Sequence, residues 1–339
     1  MSNMVNQQWT LAARPQGMVK VEDFSLVESD VPDVGEGQVL VRLTHIAYEP
    51  AMRGWIREGE SYVKPVQIGE VMRAAGAGEV IESRHDSLKP GDIVSGMFGW
   101  QQYAVVDVEG ALLPVQKLAE GVTPEMALSV LGITGLTAYY GMLRVGKPQA
   151  GETVVVSGAA GATGSIAGQI AKIQGCRVIG IAGGADKCRW LVEEAGFDGA
   201  IDYKSENVGR RMKELCPEGI NVFYDNVGGE ILEAALNNHV VGARIVLCGG
   251  ISGYNTAAEV PPGPKNYMNL ITTPATMQGF LLGQLGKDMG KAAQELGEWV
   301  RDGKINFAVD VQEGFENVPN TFLRLFHGQN LGKQLCKVG

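Results

Sequence analysis

Val154-Val155-Val156-Ser157-Gly158-Ala159-Ala160-Gly161-Ala162-Thr163-Gly164-Ser165 is the stretch that decides the fold. Its β-branched run reads as a buried strand over 153–157. A turn of very small residues follows, and the pattern then predicts a helix over 164–174. Set against G-x-G-x-x-G, Gly161 and Gly164 fit, and Ala159 stands where the first glycine would be. Small residues let the backbone approach a pyrophosphate, and a helix N-terminus offers it N–H groups and a positive dipole end. The structural alternative is a tight turn that holds nothing.

On the C-terminal side, strand and helix patterns alternate. Strands are expected at 178–182, 200–203, 222–225, 244–248 and 276–280. Helices are expected at 186–195, 205–215, 230–238 and 284–303. Such a βαβ succession gives an α/β fold with a doubly wound parallel sheet of the Rossmann kind. On the N-terminal side the pattern differs. Short apolar strands at 39–43, 77–81, 92–95 and 103–108 are punctuated by Pro32, Gly35, Gly37, Pro90 and Gly91. These imply a mostly antiparallel β domain. Thr123-Pro124-Glu125 marks the change, a capping residue followed by proline at the first helical position. The expected division is a β domain over 1–125, a dinucleotide-binding domain over 126–304, and a return of 305–339 to the first.

The second strand selects the cofactor. An NAD site places Asp or Glu about 20 residues after the glycine turn, to hold the ribose 2′-OH. Here the strand ends in Ala182-Gly183-Gly184, without an acid, and Lys187 and Arg189 follow. A cation there suits a 2′-phosphate, so NADP is expected. Asp186 is expected to cap the next helix.

The 339 residues suffice for two or three domains. The formal charge of −9 gives no drive toward nucleic acid or anionic lipid. No apolar run is long enough for a membrane span. The 47 glycines amount to about 14%, double the usual level of about 7%, as tight turns and close backbone approaches require. Five scattered cysteines with no CxxC pair suggest free thiols in a reducing cytoplasm. The first 175 residues hold no cysteine, and His45, His85, His239 and His327 are far apart, so no metal is expected.

Longer motifs now carry a family likeness. They are Tyr48-Glu49-Pro50-Ala51-Met52-Arg53-Gly54, Ile68-Gly69-Glu70-Val71-Met72, Gly135-Leu136-Thr137-Ala138-Tyr139, the glycine turn and Tyr224-Asp225-Asn226-Val227-Gly228-Gly229. Two more are Cys248-Gly249-Gly250-Ile251-Ser252-Gly253-Tyr254-Asn255 and Asn330-Leu331-Gly332-Lys333-Gln334-Leu335. Across nearly its whole length the chain resembles the zinc-independent medium-chain dehydrogenase/reductases. Within them it is similar to the prostaglandin reductase, 2-alkenal reductase and NADPH-dependent curcumin reductase group. The resemblance implies a GroES-like β domain beside the Rossmann domain, and a homodimer.

It also implies roles. Gly158, Ala160, Gly161, Ala162, Thr163 and Gly164 would cradle the cofactor phosphates, with Asn330. Lys187 and Tyr203, beside Gly183, would meet the 2′-phosphate, and Asn226 the ribose. Thr137 would face the nicotinamide, with Cys248, Gly249, Ile251, Phe280 and Leu281 also along the cofactor. Tyr254 would stand above the nicotinamide in the substrate pocket. The group's usual Asp-Pro-Tyr-Met-Arg reads Glu49-Pro50-Ala51-Met52-Arg53 here, so that motif's tyrosine is absent.

The expected chemistry is metal-free reduction of an activated carbon–carbon double bond by NADPH. Hydride adds to the β-carbon of an enal or enone, and Tyr254 donates to the carbonyl oxygen, where charge collects. Water is the alternative proton source. Tyr48, Met97, Trp100 and Tyr267, with Phe98, are the expected pocket residues, and Arg53 is a contact for a substrate carboxylate or a structural ion-pair partner. The rival readings are a quinone or carbonyl reductase on the same scaffold and a dinucleotide-binding protein without turnover.

Overall fold

In the computed structural model, residues 4–59, 61–110, 113–256 and 262–339 are described. They divide into two compact units, one ending at Leu128 and resuming over Val309–Gly339, the other spanning Ser129–Ala308.

The first unit opens with an antiparallel pair, β1 (Val5–Leu11) and β2 (Phe24–Asp30). Both strands carry mixed polar sequence, and only Phe24 of β2 is buried. β3 (Gln38–Ala47) is the organising strand. Its run of Val, Leu and Ile is buried almost throughout, because neighbours cover both faces. After it come α1 (Met52–Trp55), β4 (Ala75–Ser83), β5 (Ile93–Met97), β6 (Tyr103–Asp107), β7 (Gln116–Lys117) and α2 (Pro124–Leu128). β3 pairs antiparallel with both β4 and β6. Gly78 permits the β3–β4 approach: a Cβ there would lie 2.2 Å from the Arg42 carbonyl oxygen. The Thr123 hydroxyl accepts the Met126 N–H at 3.3 Å, the cap expected at the start of α2.

The second unit begins with α3 (Ile133–Tyr140) and a π-helical turn, Gly141–Gly146. Strands and helices then alternate: β8 (Thr153–Ser157), α4 (Ala162–Ile173), β9 (Arg177–Ala182), α5 (Ala185–Glu193), β10 (Gly199–Asp202) and α6 (Val208–Leu215). β11 (Ile220–Asp225), α7 (Gly229–Leu236), β12 (His239–Leu247), α8 (Ile251–Tyr254), α9 (Asn269–Thr272), β13 (Thr276–Gly279) and α10 (Met289–Arg301) complete it. The described strands form one parallel sheet in the order β10-β9-β8-β11-β12-β13. That is the doubly wound Rossmann order, with its reversal point between β8 and β11. The expected α/β class with a separate antiparallel sheet is therefore found.

Three boundaries differ from expectation. β12 begins at His239 rather than at residue 244, because its pairing with β11 shifts register between Ile220 and Val222. The helix expected over 284–303 starts at Met289, after a tighter segment broken at Gly286, where φ is +52°. Gly184, not Asp186, precedes the first turn of α5; Asp186 lies inside that turn and pairs with Arg189 at 2.8 Å.

The chain then re-enters the first unit through β14 (Val309–Glu313), α11 (Val318–Phe326) and β15 (Lys333–Lys337). β15 pairs parallel with β14 and antiparallel with β3.

Candidate functional site

The carboxyl ends of β8, β9, β11 and β12 carry most of the residues singled out in the sequence. In a doubly wound sheet, ligands bind beyond these ends, at the reversal point. Here that point lies between Ser157 and Asp225.

β8 runs into the glycine turn with φ +57° at Gly158. Gly161 precedes the first turn of α4, and no side chain caps that helix. Ala160 is buried, whereas Ala162 and Thr163 are partly exposed in the first turn. A Cβ on Gly164 would lie 2.4 Å from the Gly158 carbonyl oxygen and 3.0 Å from the Ala159 Cα, so the turn closes only with glycine there. A twelve-residue helix that starts from glycine and has no side-chain cap on its N-terminus is the feature a pyrophosphate requires.

At the end of β9, a Cβ on Gly183 would lie 2.7 Å from the Tyr203 ring. Tyr203 is 45% exposed and lies over that glycine. The Asp202 carboxylate accepts the Gly184 N–H at 2.8 Å and the Lys204 N–H at 3.0 Å. These bonds hold its carboxyl below the usual range. Asp202 thus fixes the turn from which α5 starts, and Lys187 is partly exposed on that helix. Burial pushes the Cys188 thiol up to about 11, which leaves it an inert thiol at neutral pH.

Between β8 and β11 the Asp225 carboxylate is fully buried. It accepts the Ser157 hydroxyl at 2.6 Å, the Val227 N–H at 3.0 Å and the Gly228 N–H at 3.0 Å. Ser157 Oγ in turn accepts the Asn226 N–H at 2.8 Å, and Asn226 Nδ2 donates to the Ser157 carbonyl at 2.7 Å. The backbone N–H groups of Cys248 and Gly249 donate to the Asp225 carbonyl at 2.9 and 3.0 Å. Ile251 N–H donates to the Asn226 carbonyl at 3.2 Å. The Tyr254 hydroxyl accepts the Gly250 N–H at 3.1 Å. A Cβ on Gly249 would stand 3.2 Å from that hydroxyl and 3.3 Å from the Asn226 carbonyl oxygen. Asn226, Gly249 and Tyr254 are therefore immediate neighbours.

Thr137 lies on α3, where its carbonyl accepts the Tyr224 hydroxyl at 3.2 Å. Phe280 follows β13, its ring 5.5 Å from that of Tyr140. A Cβ on Gly141 would collide with both Phe280 and the Tyr224 hydroxyl. Leu281 and Tyr267 are exposed, at 51% and 57%. Of the proline-rich run 261–267, Pro261 lies outside the described residues.

The remaining expected residues belong to the first unit. Tyr48 and Trp100 are 1% and 0% exposed and pack in an aromatic cluster with Phe24 and Phe322. This corrects their expected place in a pocket: they fill the core, as does Phe98. Met97 packs partly buried against the same core. Arg53 is 1% exposed, and its guanidinium donates to the Pro15 and Gly17 carbonyls at 3.2 and 2.9 Å. It clamps the Pro15–Gly17 segment. Asn330 is buried, with its amide donating to the Gly332 carbonyl at 2.8 Å. Among the described residues, no group of three His, Cys, Asp or Glu side chains is placed to hold a metal ion, and no helix is long and apolar enough to cross a membrane.

Sequence reasoning missed Ser157 and Asp225 as a pair. They are 68 residues apart, and only the adjacency of β8 and β11 joins them.

Comparison with known proteins agrees with this arrangement. Residues 7–113 match the model of the N-terminal domain of oxidoreductases, and 162–298 that described as a zinc-binding dehydrogenase. The NADPH-dependent curcumin reductase of Escherichia coli is 41% identical over 339 residues, covering 98% of this chain and 97% of that one. The chain belongs to the medium-chain dehydrogenase/reductase family. Prostaglandin reductase 1 of Bos taurus is 36% identical over 333 residues, 98% of each chain. CurA of Vibrio vulnificus, solved in complex with NADPH, superposes with a TM-score of 0.92 at 38% identity, covering 98% of this chain and 99% of that one. The protein is an NADP(H)-dependent oxidoreductase of this curcumin and prostaglandin reductase group. The uncapped glycine turn fits that cofactor.

Proposed function

We propose that this oxidoreductase reduces the carbon–carbon double bond of α,β-unsaturated aldehydes and ketones. The observation that carries the reading is the seat of Tyr254. Its hydroxyl accepts the Gly250 N–H and touches Gly249 beside Asn226, at the strand ends that also carry the glycine turn. NADPH, when bound at that turn, supplies the hydride for the substrate's β-carbon. Lys187 and Tyr203 bind the 2′-phosphate, and Asn226 lies near the cofactor ribose. Tyr254 hydrogen-bonds the substrate carbonyl and stabilises the charge that develops there. The N–H that Tyr254 accepts polarises its O–H and strengthens it as a donor. Accumulation of charge on an oxygen held by one neutral donor suits conjugate addition, because the enolate spreads that charge over three atoms.

The proposal extends to the assembly. Among the described residues β13 is one of the two outer strands of the sheet, and Val241 and Ile271, on the elements leading to it, are 71% and 67% exposed. A second copy of the chain pairing along this edge gives the homodimer, whose mass sedimentation velocity would report.

The test follows NADPH absorbance at 340 nm with an aliphatic 2-alkenal, a benzylidene ketone, a quinone and a saturated ketone. Turnover confined to the activated alkenes, with the saturated carbonyl compound as product and a kcat lowered about 100-fold in Tyr254→Phe, supports the reading. Turnover of the quinone alone overturns it.

A further inference from the structure

The glycine turn and the Asn226–Gly228 loop come from strands whose ends are 68 residues apart, yet both must present fixed backbone groups to one dinucleotide. The buried polar groups between them show how this is done. Ser157 closes β8 and Asp225 closes β11, and both are 0% exposed. The Ser157 hydroxyl donates to Asp225 Oδ1 at 2.6 Å while accepting the Asn226 N–H at 2.8 Å, so it bridges the two strand ends. Asp225 Oδ1 and Oδ2 share the Gly228 N–H at 3.0 and 3.1 Å, and Oδ1 also takes the Val227 N–H. These bonds draw the chain into a turn with φ +73° at Gly228 and +56° at Gly229, from which α7 starts. From the same turn, the Val227 carbonyl accepts the Ser252 N–H at 3.1 Å and its hydroxyl at 2.6 Å, which ties in the segment that bears Tyr254.

A carboxylate with no exposed surface is costly to bury, and burial pushes the Asp225 carboxyl above its usual range against the pull of Ser157, Val227 and Gly228. An apolar residue of similar size would fill the same space without that cost. The position repays it only through what the carboxylate holds in place.

We infer that Asp225 and Ser157 form a positioning pair for NADP(H), fixing the glycine turn and the Asn226 loop in the one relative arrangement that accepts the cofactor. Neither side chain touches the cofactor; each acts through the backbone that does. The inference rests on the assignment of the glycine turn and Asn226 to the cofactor, and not on the identity of the substrate that is reduced.

The pair makes different demands on its two members. Asp225→Asn replaces one acceptor oxygen by an NH2 group, which faces either the Ser157 hydroxyl or the Gly228 N–H, both donors. Ser157→Ala leaves the carboxylate, its loop contacts and the Asn226 Nδ2 bond to the residue 157 carbonyl, but removes the hydroxyl bridge to Asp225 and strands the Asn226 N–H. Should Asp225→Asn fail to fold, Ser157→Ala carries the test, since it only deletes one oxygen.

The experiment titrates NADPH into the folded, cofactor-free protein and reads protein fluorescence quenching. Unfolding temperatures are measured without NADPH on the same samples. The expected result is a Kd raised about tenfold or more in each variant, the loss of one buried hydrogen-bonded bridge. Lys187→Ala, measured in parallel, is expected to weaken NADPH alone, whereas the pair variants weaken NADPH and NADH equally, because they disturb parts the two dinucleotides share. A Kd within twofold of the parent in Ser157→Ala, with only the unfolding temperature lowered, overturns the inference and leaves the pair a purely structural bridge. If Tyr254→Phe retains full turnover while the Kd changes appear, the catalytic reading fails and the positioning pair stands.

Discussion

The aromatic cluster of the first unit and the strand ends of the second solve opposite packing problems. Around Trp100 the molecule fills space: Phe24, Tyr48 and Phe322 have ring centroids 5.0 to 5.7 Å from it. Around Gly158, Gly164, Gly183 and Gly249 it withholds atoms, and an added Cβ would meet a neighbour within 3.3 Å at each. Large side chains in the first place fill the core; absent side chains in the second let neighbouring groups approach closely enough to close the turns at the strand ends. In the sequence, Tyr48 and Tyr254 both look like pocket tyrosines. Their neighbours separate them, since one sits among rings and the other on glycines.

The contrast is easiest to break at its centre. Trp100→Ala should destabilise the first unit by about 3–5 kcal/mol, the cost of a large cavity in a closed core. Calorimetry should show it, with the NADPH Kd of the folded fraction unchanged. Gly164→Ala should do the reverse. Its methyl must push the Gly158 carbonyl or open the turn, so NADPH affinity should fall about tenfold or more with a small change in unfolding temperature. Lys187→Ala should weaken NADPH about five- to tenfold and leave NADH unaffected, as one partly exposed charge–phosphate contact predicts. The difference should shrink in high salt.

The smallest effect concerns pH. Burial lowers the His45 pKa below its usual 6.5, against the pull of Glu125 at 3.5 Å, with Lys337 also opposing the charge. The unfolded chain then binds the extra proton, so stability is lost as pH falls below about 6.5. In the second unit, burial opposes the charged forms of Glu152 and Asp198, but hydrogen bonds from Arg244 and Lys172 and from backbone N–H groups hold them below their usual 4.5 and 3.8, so their contribution is lost only as pH falls below those values. The raised Asp225 has the opposite sign and offsets part of that loss. Hydrogen exchange between pH 7 and 4 should therefore show the first unit loosening at the higher pH. Equal onsets in the two units would contradict the assignment, and His45→Gln should remove the difference.

These contrasts also explain what the sequence discloses. β8 is legible to the residue, since Thr153–Ser157 is a β-branched run ended by glycine, and the glycine turn is legible because its constraint is local. β1 and β2 are not: Val5–Leu11 and Phe24–Asp30 carry too many polar residues for an apolar pattern, and they hold as strands through each other. The contacts of Gly249 and Gly250 with Tyr254 span five and four residues and follow from a motif. The Ser157–Asp225 bond is invisible in either local segment, because a buried serine and aspartate acquire meaning only once two strands are neighbours. The fate of Tyr48 and Trp100 depends on Phe322, more than 200 residues away, and no motif records it.

β15 pairs with β3 across almost three hundred residues of chain. On the ribosome this sets an order of events. Residues 129–308 form a contiguous unit that has all its strands once its last residue has emerged, whereas the first unit waits for the final stretch before β3 gains its last neighbour. A chain halted before residue 333 would carry a finished dinucleotide-binding sheet and a β unit in which the His45–Ala47 end of β3 lacks its β15 partner. Pulse proteolysis of stalled chains would show the second unit protected first. For the growing polypeptide, β15 is the closing stitch of a unit whose other strands, β14 aside, were made before residues 129–308.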